Sequence, residues 1–352
     1  QRAIAIKPDL ADAHNSLGLA LQAVGQLEAA ADSYRRAIEV NPAFLAAQFA
    51  LGNIHQMQGR HDTAIAHYET VLRHNPGQID ALYNMGIVQH SLDHLDAAME
   101  CYRRVLAIAP DHLKALNNMG NTLQEQGNHT EAADCYRTIL RLNPQDYMAY
   151  GNLGVALKLQ GRYLDAIAVY RRALELKPDY THALNNLANI LKDLGHHEEA
   201  LDHFSTALSI DPAYLDAHSN RLFTLSQMPD VRPAEYLATA RIYGDLLRRR
   251  VTPFVHPPGR YYLPFGTPLK VGFVSGDLKS HPVGYFLEGL MAHLDRTRVV
   301  PVVYATNDFE DGLTQRLRPL FAAWHSLAIL TDTQAAQRIY EDGIDILIDL
   351  AG

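Results

Sequence analysis

The chain is poor in cysteine, in excess basic charge and in long apolar runs, and each shortage removes a class of protein. Only Cys101 and Cys135 occur in 352 residues. They hold equivalent places in two successive units of a repeat, so their helices are expected about 8–10 Å apart, beyond the roughly 7 Å Cα limit for a disulfide. They read as packing residues. Lys and Arg number 31 against 39 Asp and Glu, a net charge of -8, which argues against a sequence-independent nucleic-acid binder because such a protein needs a basic stripe. No apolar run approaches the roughly 20 residues of a membrane span, and no signal-peptide pattern opens the chain. A cytoplasmic protein with neither nucleic-acid nor membrane partners is expected. The 18 histidines invite a metal reading, yet His61, His67, His90, His94, His196 and His197 fall mostly at variable turn or surface places without C-x-x-C or H-E-x-x-H spacing. No metal or other cofactor is expected.

What the chain does have is a period. Pro8, Pro42, Pro76, Pro110, Pro144, Pro178 and Pro212 recur every 34 residues, the interval at which helix-turn-helix units stack into a solenoid. Between prolines one skeleton returns, as in Leu17-Gly18, Ala30, Tyr34 and Ala37, or Leu153-Gly154, Ala166, Tyr170 and Ala173. It resembles the tetratricopeptide repeat. Each unit is expected to hold a first helix (11–24 in the first unit), a turn with glycine at 25, 59, 127, 161 or 195, and a second helix ending near the proline. Small residues at Gly18, Gly52, Gly86, Gly120, Gly154 and Ala188 let backbones approach, and Tyr34, Tyr68, Tyr102, Tyr136, Tyr170 and Phe204 fill the gap. Each unit buries its apolar face only against its neighbour.

Residues 1–227 are therefore expected to be tetratricopeptide repeats, six complete and partial at both ends. A capping helix near 234–249 and a proline-rich linker occupy 228–268. From residue 269 the period changes. Strands are expected at 269–275, 299–304, 325–329 and 344–350, alternating with helices at 283–294, 313–322 and 333–342. The fold class is an α-solenoid followed by an incomplete, Rossmann-like α/β domain with a parallel sheet over 269–352. Both ends read as cut within a structural unit, so more chain is expected beyond them.

The first α/β turn, Ser275-Gly276-Asp277-Leu278-Lys279-Ser280-His281-Pro282, matches neither G-x-G-x-x-G nor the phosphate loop. Its placement is informative, because Pro282 suits the first helical turn and so puts His281 at a helix N-terminus beyond the first strand, where open α/β sheets take ligands. A helix N-terminus favours a neutral imidazole. On physics alone, a His-Pro at a helix start serves as a cap more often than as a catalyst.

A second constellation lies in the first helices. At about 100° per residue, Asn118 points roughly 160–180° away from the core positions typified by Leu116, Met119, Gly120 and Leu123. The same slot holds Asn84, Asn118, Asn152, Asn186 and Asn220, preceded by Ser16 and Ala50, and Asn53, Asn121 and Asn189 lie one turn on. Such a ladder on a concave face could pair with peptide groups regardless of side chain. The alternatives are that repeat duplication copied a tolerated polar residue, or that neighbouring amides bond one another.

Val271-Gly272-Phe273-Val274-Ser275, Asp277, His281-Pro282, Tyr304-Ala305, Asp311-Gly312, Arg338-Ile339 and Asp342-Gly343-Ile344-Asp345-Ile346-Leu347, set behind such repeats, resemble the start of the catalytic region of the O-linked N-acetylglucosamine transferases. The resemblance implies a metal-independent glycosyltransferase that moves N-acetylglucosamine from UDP-GlcNAc to serine or threonine hydroxyls. It further implies acceptor polypeptides in the repeat groove on Asn84, Asn118, Asn152, Asn186 and Asn220, and His281 as the active-site histidine of the first lobe. Val283 stands where relatives carry a small hydroxyl residue, and Tyr340 where some carry histidine. The uridine diphosphate pocket and its lysine belong to a second lobe that this sequence lacks, so residues 1–352 alone are expected to be inactive. A protein O-fucosyltransferase of the same architecture, and a non-catalytic scaffold, are the competing expectations.

Overall fold

The structure, a computed structural model, describes residues 10–255 and 266–350. Pro8 and the opening partial repeat, the linker prolines Pro257, Pro258 and Pro264, and the last two residues lie outside the described residues. Two compact units divide the chain, the first ending at Arg250 and the second beginning at Val251.

The first unit is a run of helices, α1 (Ala11–Ala23), α2 (Leu27–Val40), α3 (Leu45–Met57), α4 (His61–His74), α5 (Ile79–Ser91), α6 (Leu95–Ile108), α7 (Leu113–Glu125), α8 (His129–Leu142), α9 (Tyr147–Leu159), α10 (Tyr163–Leu176), α11 (Thr181–Asp193), α12 (His197–Ile210), α13 (Leu215–Ser226) and α14 (Pro233–Arg250). Six helical hairpins, α1–α2 to α11–α12, are followed by α13, against which α14 packs. The first helices α3, α5, α7, α9, α11 and α13 form a continuous row in which each touches the next, whereas second helices pack against first helices on either side. Crowding of the first helices makes theirs the inner wall.

Close approach explains the Gly/Tyr skeleton. A Cβ on Gly18, Gly52, Gly86, Gly120 or Gly154 would stand 2.5–2.8 Å from the tyrosine ring of its own hairpin, and those rings are fully buried. The hairpin turns need a left-handed residue, which glycine supplies at 25, 59, 127, 161 and 195; in the third repeat Asp93 takes the same conformation at φ 60°. Aspartate tolerates it because its short polar side chain can bond locally. Cys101 and Cys135 are free and buried, and burial pushes both thiols up to about 11.

The second unit comprises β1 (Leu269–Ser275), α15 (Pro282–Ala292), β2 (Val299–Ala305), α16 (Gly312–Leu317), β3 (Ala323–Ser326), α17 (Asp332–Glu341) and β4 (Ile346–Asp349). Its sheet is parallel, in the order β3-β2-β1-β4. Both faces are covered: Val271, Phe273 and Val303 join Leu287, Met291 and Leu313 on one, while Val302 and Tyr304 meet Ala335 and Ile339 of α17 on the other. Two elements depart from expectation. Helix α16 stops at Leu317 and passes into a short 3-10 turn, Arg318–Leu320, because Pro319 supplies no N–H to continue the α-helical hydrogen bonds. Strand β3 runs over Ala323–Ser326, where it pairs with Val302–Ala305. Of the expected 325–329, His325 and Ser326 lie in it, whereas the apolar residues after them leave the sheet and Ile329 is 89% exposed.

Candidate functional site: the repeat groove and the first strand-helix turn

On the inner wall, the ladder amides occupy one half-buried register position on α5, α7, α9, α11 and α13. Four donate an Nδ2 hydrogen bond to the preceding repeat: Asn84 to Asn53 Oδ1 (2.9 Å), Asn118 to the Tyr83 hydroxyl (3.2 Å), Asn152 to Asn117 Oδ1 (3.0 Å) and Asn220 to Asn185 Oδ1 (3.1 Å). Asn186 stands against the buried Tyr170 hydroxyl without a bond of full geometry. In three of the four the partner is a neighbouring amide, and in the fourth it is a tyrosine hydroxyl. One such bond leaves a primary amide with a second N–H and further acceptor capacity, so the ladder is held in place without being saturated.

Two openings flank this row. One, of about 560 Å³, is bordered by Ile87, His90, Asn118, Asn121, Val155 and Leu159. Another, of about 380 Å³, is bordered by Tyr83, Asn117, Asn118, Met148, Asn152 and Tyr180. Asn118 borders both. The tyrosines within the hairpins tie their hydroxyls to the same face: Tyr68 donates to Asn53 (2.8 Å) and Tyr136 to Asn121 (2.7 Å). Burial pushes the Tyr68, Tyr102, Tyr136 and Tyr170 phenols far above their ordinary value, so they remain neutral donors. Sequence reasoning missed the acceptors Asn117 and Asn185 and the groove rings Tyr83 and Tyr180. The slot of Tyr83, Asn117 and Asn185 holds Asn15, Phe49, Gly151 and Ser219 in the other repeats, and that of Tyr180 holds Leu10, Phe44, Gln78, His112, Asp146 and Tyr214, both too varied to stand out by period.

In the second unit, the sheet order changes direction between β1 and β4, which places the ligand crevice of such a sheet at their carboxyl ends. His281 follows β1 as the N-cap of α15, with Pro282 in the first turn. Its side chain is 42% exposed. Nδ1 accepts the Val283 N–H at 3.3 Å and lies 3.7 Å from the Asp277 carboxylate. An imidazole that accepts through Nδ1 carries its proton on Nε2 when neutral, so the remaining ring nitrogen is presented as a donor.

The loop that carries His281 is fastened from α16. Asp311 accepts the Leu313 and Thr314 N–H groups through Oδ1 (2.9 and 3.0 Å) and the Ser280 N–H through Oδ2 (2.7 Å), while Thr314 Oγ1 donates to the Leu278 carbonyl (2.8 Å). The Thr314 and Ser280 N–H groups hold the Asp311 carboxyl well below the usual carboxylate range. Gly284 permits the tight return, since a Cβ there would lie 2.3 Å from the Lys279 carbonyl oxygen. Beside the loop, a smaller opening of about 230 Å³ is lined by Asn307, Asp308, Phe309, Arg318 and Trp324. Other motif residues converge on a structural clamp: Asp342 accepts from the Tyr304 hydroxyl (2.8 Å) and Arg338 Nε (3.1 Å), pinning α17 to the sheet.

Two sequence profiles described as tetratricopeptide repeat match the chain, one over residues 15–78 and 117–181, the other over 56–117 and 157–221. The chain belongs to the tetratricopeptide-repeat family. Within it, the chain is similar to the O-GlcNAc transferases: a solved Thermobaculum terrenum O-GlcNAc transferase mutant superposes with a TM-score of 0.51 at 32% identity, covering 68% of this chain and 45% of that one. A probable UDP-N-acetylglucosamine–peptide N-acetylglucosaminyltransferase SPINDLY of Solanum lycopersicum is 34% identical over 89 residues, 24% of this chain and 10% of that protein. The Caenorhabditis elegans UDP-N-acetylglucosamine–peptide N-acetylglucosaminyltransferase is 29% identical over 141 residues, 38% and 12% of the two. The aligned region is thus about a tenth of the length of these curated relatives. A tetratricopeptide repeat protein from Parabacteroides merdae, at 16% identity and a TM-score of 0.54 over 66% of this chain and 98% of its own, shares the fold. Among the described residues, no helix is long and apolar enough to cross a membrane.

Proposed function

We propose that the chain is the acceptor-binding and first-lobe portion of a protein O-GlcNAc transferase, which moves N-acetylglucosamine from UDP-GlcNAc to serine or threonine hydroxyls. The observation that carries this reading is the row of half-buried amides along the inner wall, opening onto two groove pockets, in a chain 32% identical to an O-GlcNAc transferase structure. In it, Asn84, Asn118, Asn152, Asn186 and Asn220 hold the acceptor backbone. An acceptor hydroxyl attacking an anomeric carbon loses its proton as the diphosphate departs. With Nδ1 engaged by the Val283 N–H, His281 acts through an Nε2 donor that orients an oxygen of the acceptor or sugar. That arrangement favours a binding role over a base at Nε2.

The test is mass spectrometry of an unfolded serine- and threonine-rich polypeptide incubated with the full-length parent protein and either UDP-GlcNAc or GDP-fucose. A mass gain of N-acetylhexosamine on hydroxyl residues is expected with UDP-GlcNAc alone. Fucose transfer alone contradicts the sugar assignment, and no transfer with either donor contradicts the enzyme reading.

A further inference from the structure

The inner wall carries a second row, one helical turn beyond the ladder, whose composition alternates. Across seven repeats it reads Leu19, Asn53, Ile87, Asn121, Val155, Asn189, Phe223, apolar and amide in strict turn. The row faces the groove: Ile87, Asn121 and Val155 border the same opening, and Leu19 and Phe223 at its two ends are each 54% exposed.

The internal hydrogen bonds do not account for the alternation. Asn53 and Asn121 accept from Tyr68 and Tyr136, but Asn189 belongs to the repeat whose ring is Phe204, which has no hydroxyl to satisfy. Conversely, the repeats of Ile87 and Val155 keep the buried hydroxyl rings Tyr102 and Tyr170. Packing accounts for one apolar member, Val155, which rests against the solenoid core, but not for Leu19 and Phe223, each 54% exposed.

A ligand with a two-repeat period does account for it. Adjacent packed helices lie about 8–10 Å apart, and an extended β-conformation advances roughly 3.3 Å per residue, so one repeat spans about three residues of such a chain. Three is odd. In a strand, side chains at an odd separation point to opposite sides, so a chain that turns a side chain to the wall at one repeat turns it away at the next. A polyproline helix repeats every three residues and would ask for the same wall residue at every repeat.

Resting on the groove reading above, we propose that the second row selects the acceptor: it takes a polypeptide segment in β-extended conformation with apolar side chains about six residues apart, seated at Leu19, Ile87, Val155 and Phe223. Asn53, Asn121 and Asn189 meet the intervening positions, where the backbone and polar groups face the wall.

The experiment uses the 352-residue chain and two fluorescein-labelled Ser/Gly-rich 20-residue peptides, one with leucine at every sixth position and the other with the same number of leucines at odd spacings, read by fluorescence anisotropy. The sixfold spacing is expected to bind about tenfold tighter. In Ile87→Asn/Val155→Asn, which removes the two central seats and leaves Leu19 and Phe223, the preference should fall to about threefold or less. Asparagine already occupies this slot in the flanking repeats, so the variant is compatible with the fold, and an unchanged circular dichroism melt checks it. Equal binding of both peptides by the unaltered chain, or an undiminished preference in the double variant, overturns the selectivity while leaving the groove reading intact. Binding of neither peptide overturns both.

Discussion

Replacing glycine by alanine should have opposite signs at Gly154 and Gly244. Both sit inside helices, α9 and α14, where alanine is favoured by about 1 kcal/mol because it restricts the unfolded chain and supports helical geometry. At Gly244 nothing lies within 4 Å of an added Cβ, so Gly244→Ala should stabilise by up to about 1 kcal/mol. At Gly154 the added Cβ would lie 2.5 Å from Tyr170 Cζ and 2.6 Å from Cε1 of a ring that is 0% exposed. Overpacking of that kind costs roughly 1–3 kcal/mol. Set against the helix gain, Gly154→Ala should be net destabilising by up to about 2 kcal/mol, a fall in Tm of up to roughly 4–8 °C for a unit of this size. Repeat six shows the compensated arrangement, Ala188 with Phe204, both fully buried; Tyr170→Phe added to Gly154→Ala should therefore recover part of the loss. Urea titration followed by circular dichroism on the four chains reads these differences. A Gly154→Ala chain stabilised as much as Gly244→Ala, or a Gly244→Ala chain equally impaired, would refute the close-approach argument.

Asp93 holds a left-handed conformation at φ 60° in the slot that glycine fills in neighbouring repeats, so Asp93→Gly should stabilise the solenoid by about 0.5–1 kcal/mol in the same titration; a loss would show that the Asp93 side chain contributes more than its backbone costs. Asp311 ties Ser280 to the start of α16 with a carboxyl held below its usual range by the Thr314 and Ser280 N–H groups. Because its folded value is depressed, its contribution is present above the unfolded value near pH 4 and is lost as pH falls from there toward the folded value. Asp311→Asn should accelerate hydrogen exchange at the Ser280 amide at neutral pH, and an unchanged rate would remove the tie. In the full-length parent, His281→Ala should depress glycosyl transfer while the repeats keep their circular dichroism melt; normal turnover would remove His281 from the site.

The solenoid was legible because its determinants are local and repeated. Proline, glycine and tyrosine recur at fixed offsets, and Gly18 and Tyr34 meet within one hairpin, so the 34-residue period carried both the helices and their packing. His281 was legible for a similar reason: Pro282 marks a helix start, and the apolar run before it marks a strand. What escaped depends on contacts between repeats or strands. Asn118 bonds Tyr83 across 35 positions, a pairing fixed by how two helices stack and not by either segment. Strand β3 was misplaced because pairing with Val302–Ala305, rather than local hydrophobicity, sets its register. Asp311 entered only as part of the Asp311-Gly312 motif; its second oxygen reaches Ser280, 31 positions away, only once the chain has folded.

The central claim is that inner-wall amides hold an extended polypeptide, and the direct measurement is binding of labelled unfolded chains to Asn118→Ala/Asn152→Ala/Asn186→Ala. At about 1 kcal/mol for each lost pairing, affinity for a polypeptide long enough to span all three repeats should drop roughly 100-fold. A peptide spanning only one of them should lose about tenfold or less. Equal losses for long and short chains, or full affinity in the triple variant, would contradict the account.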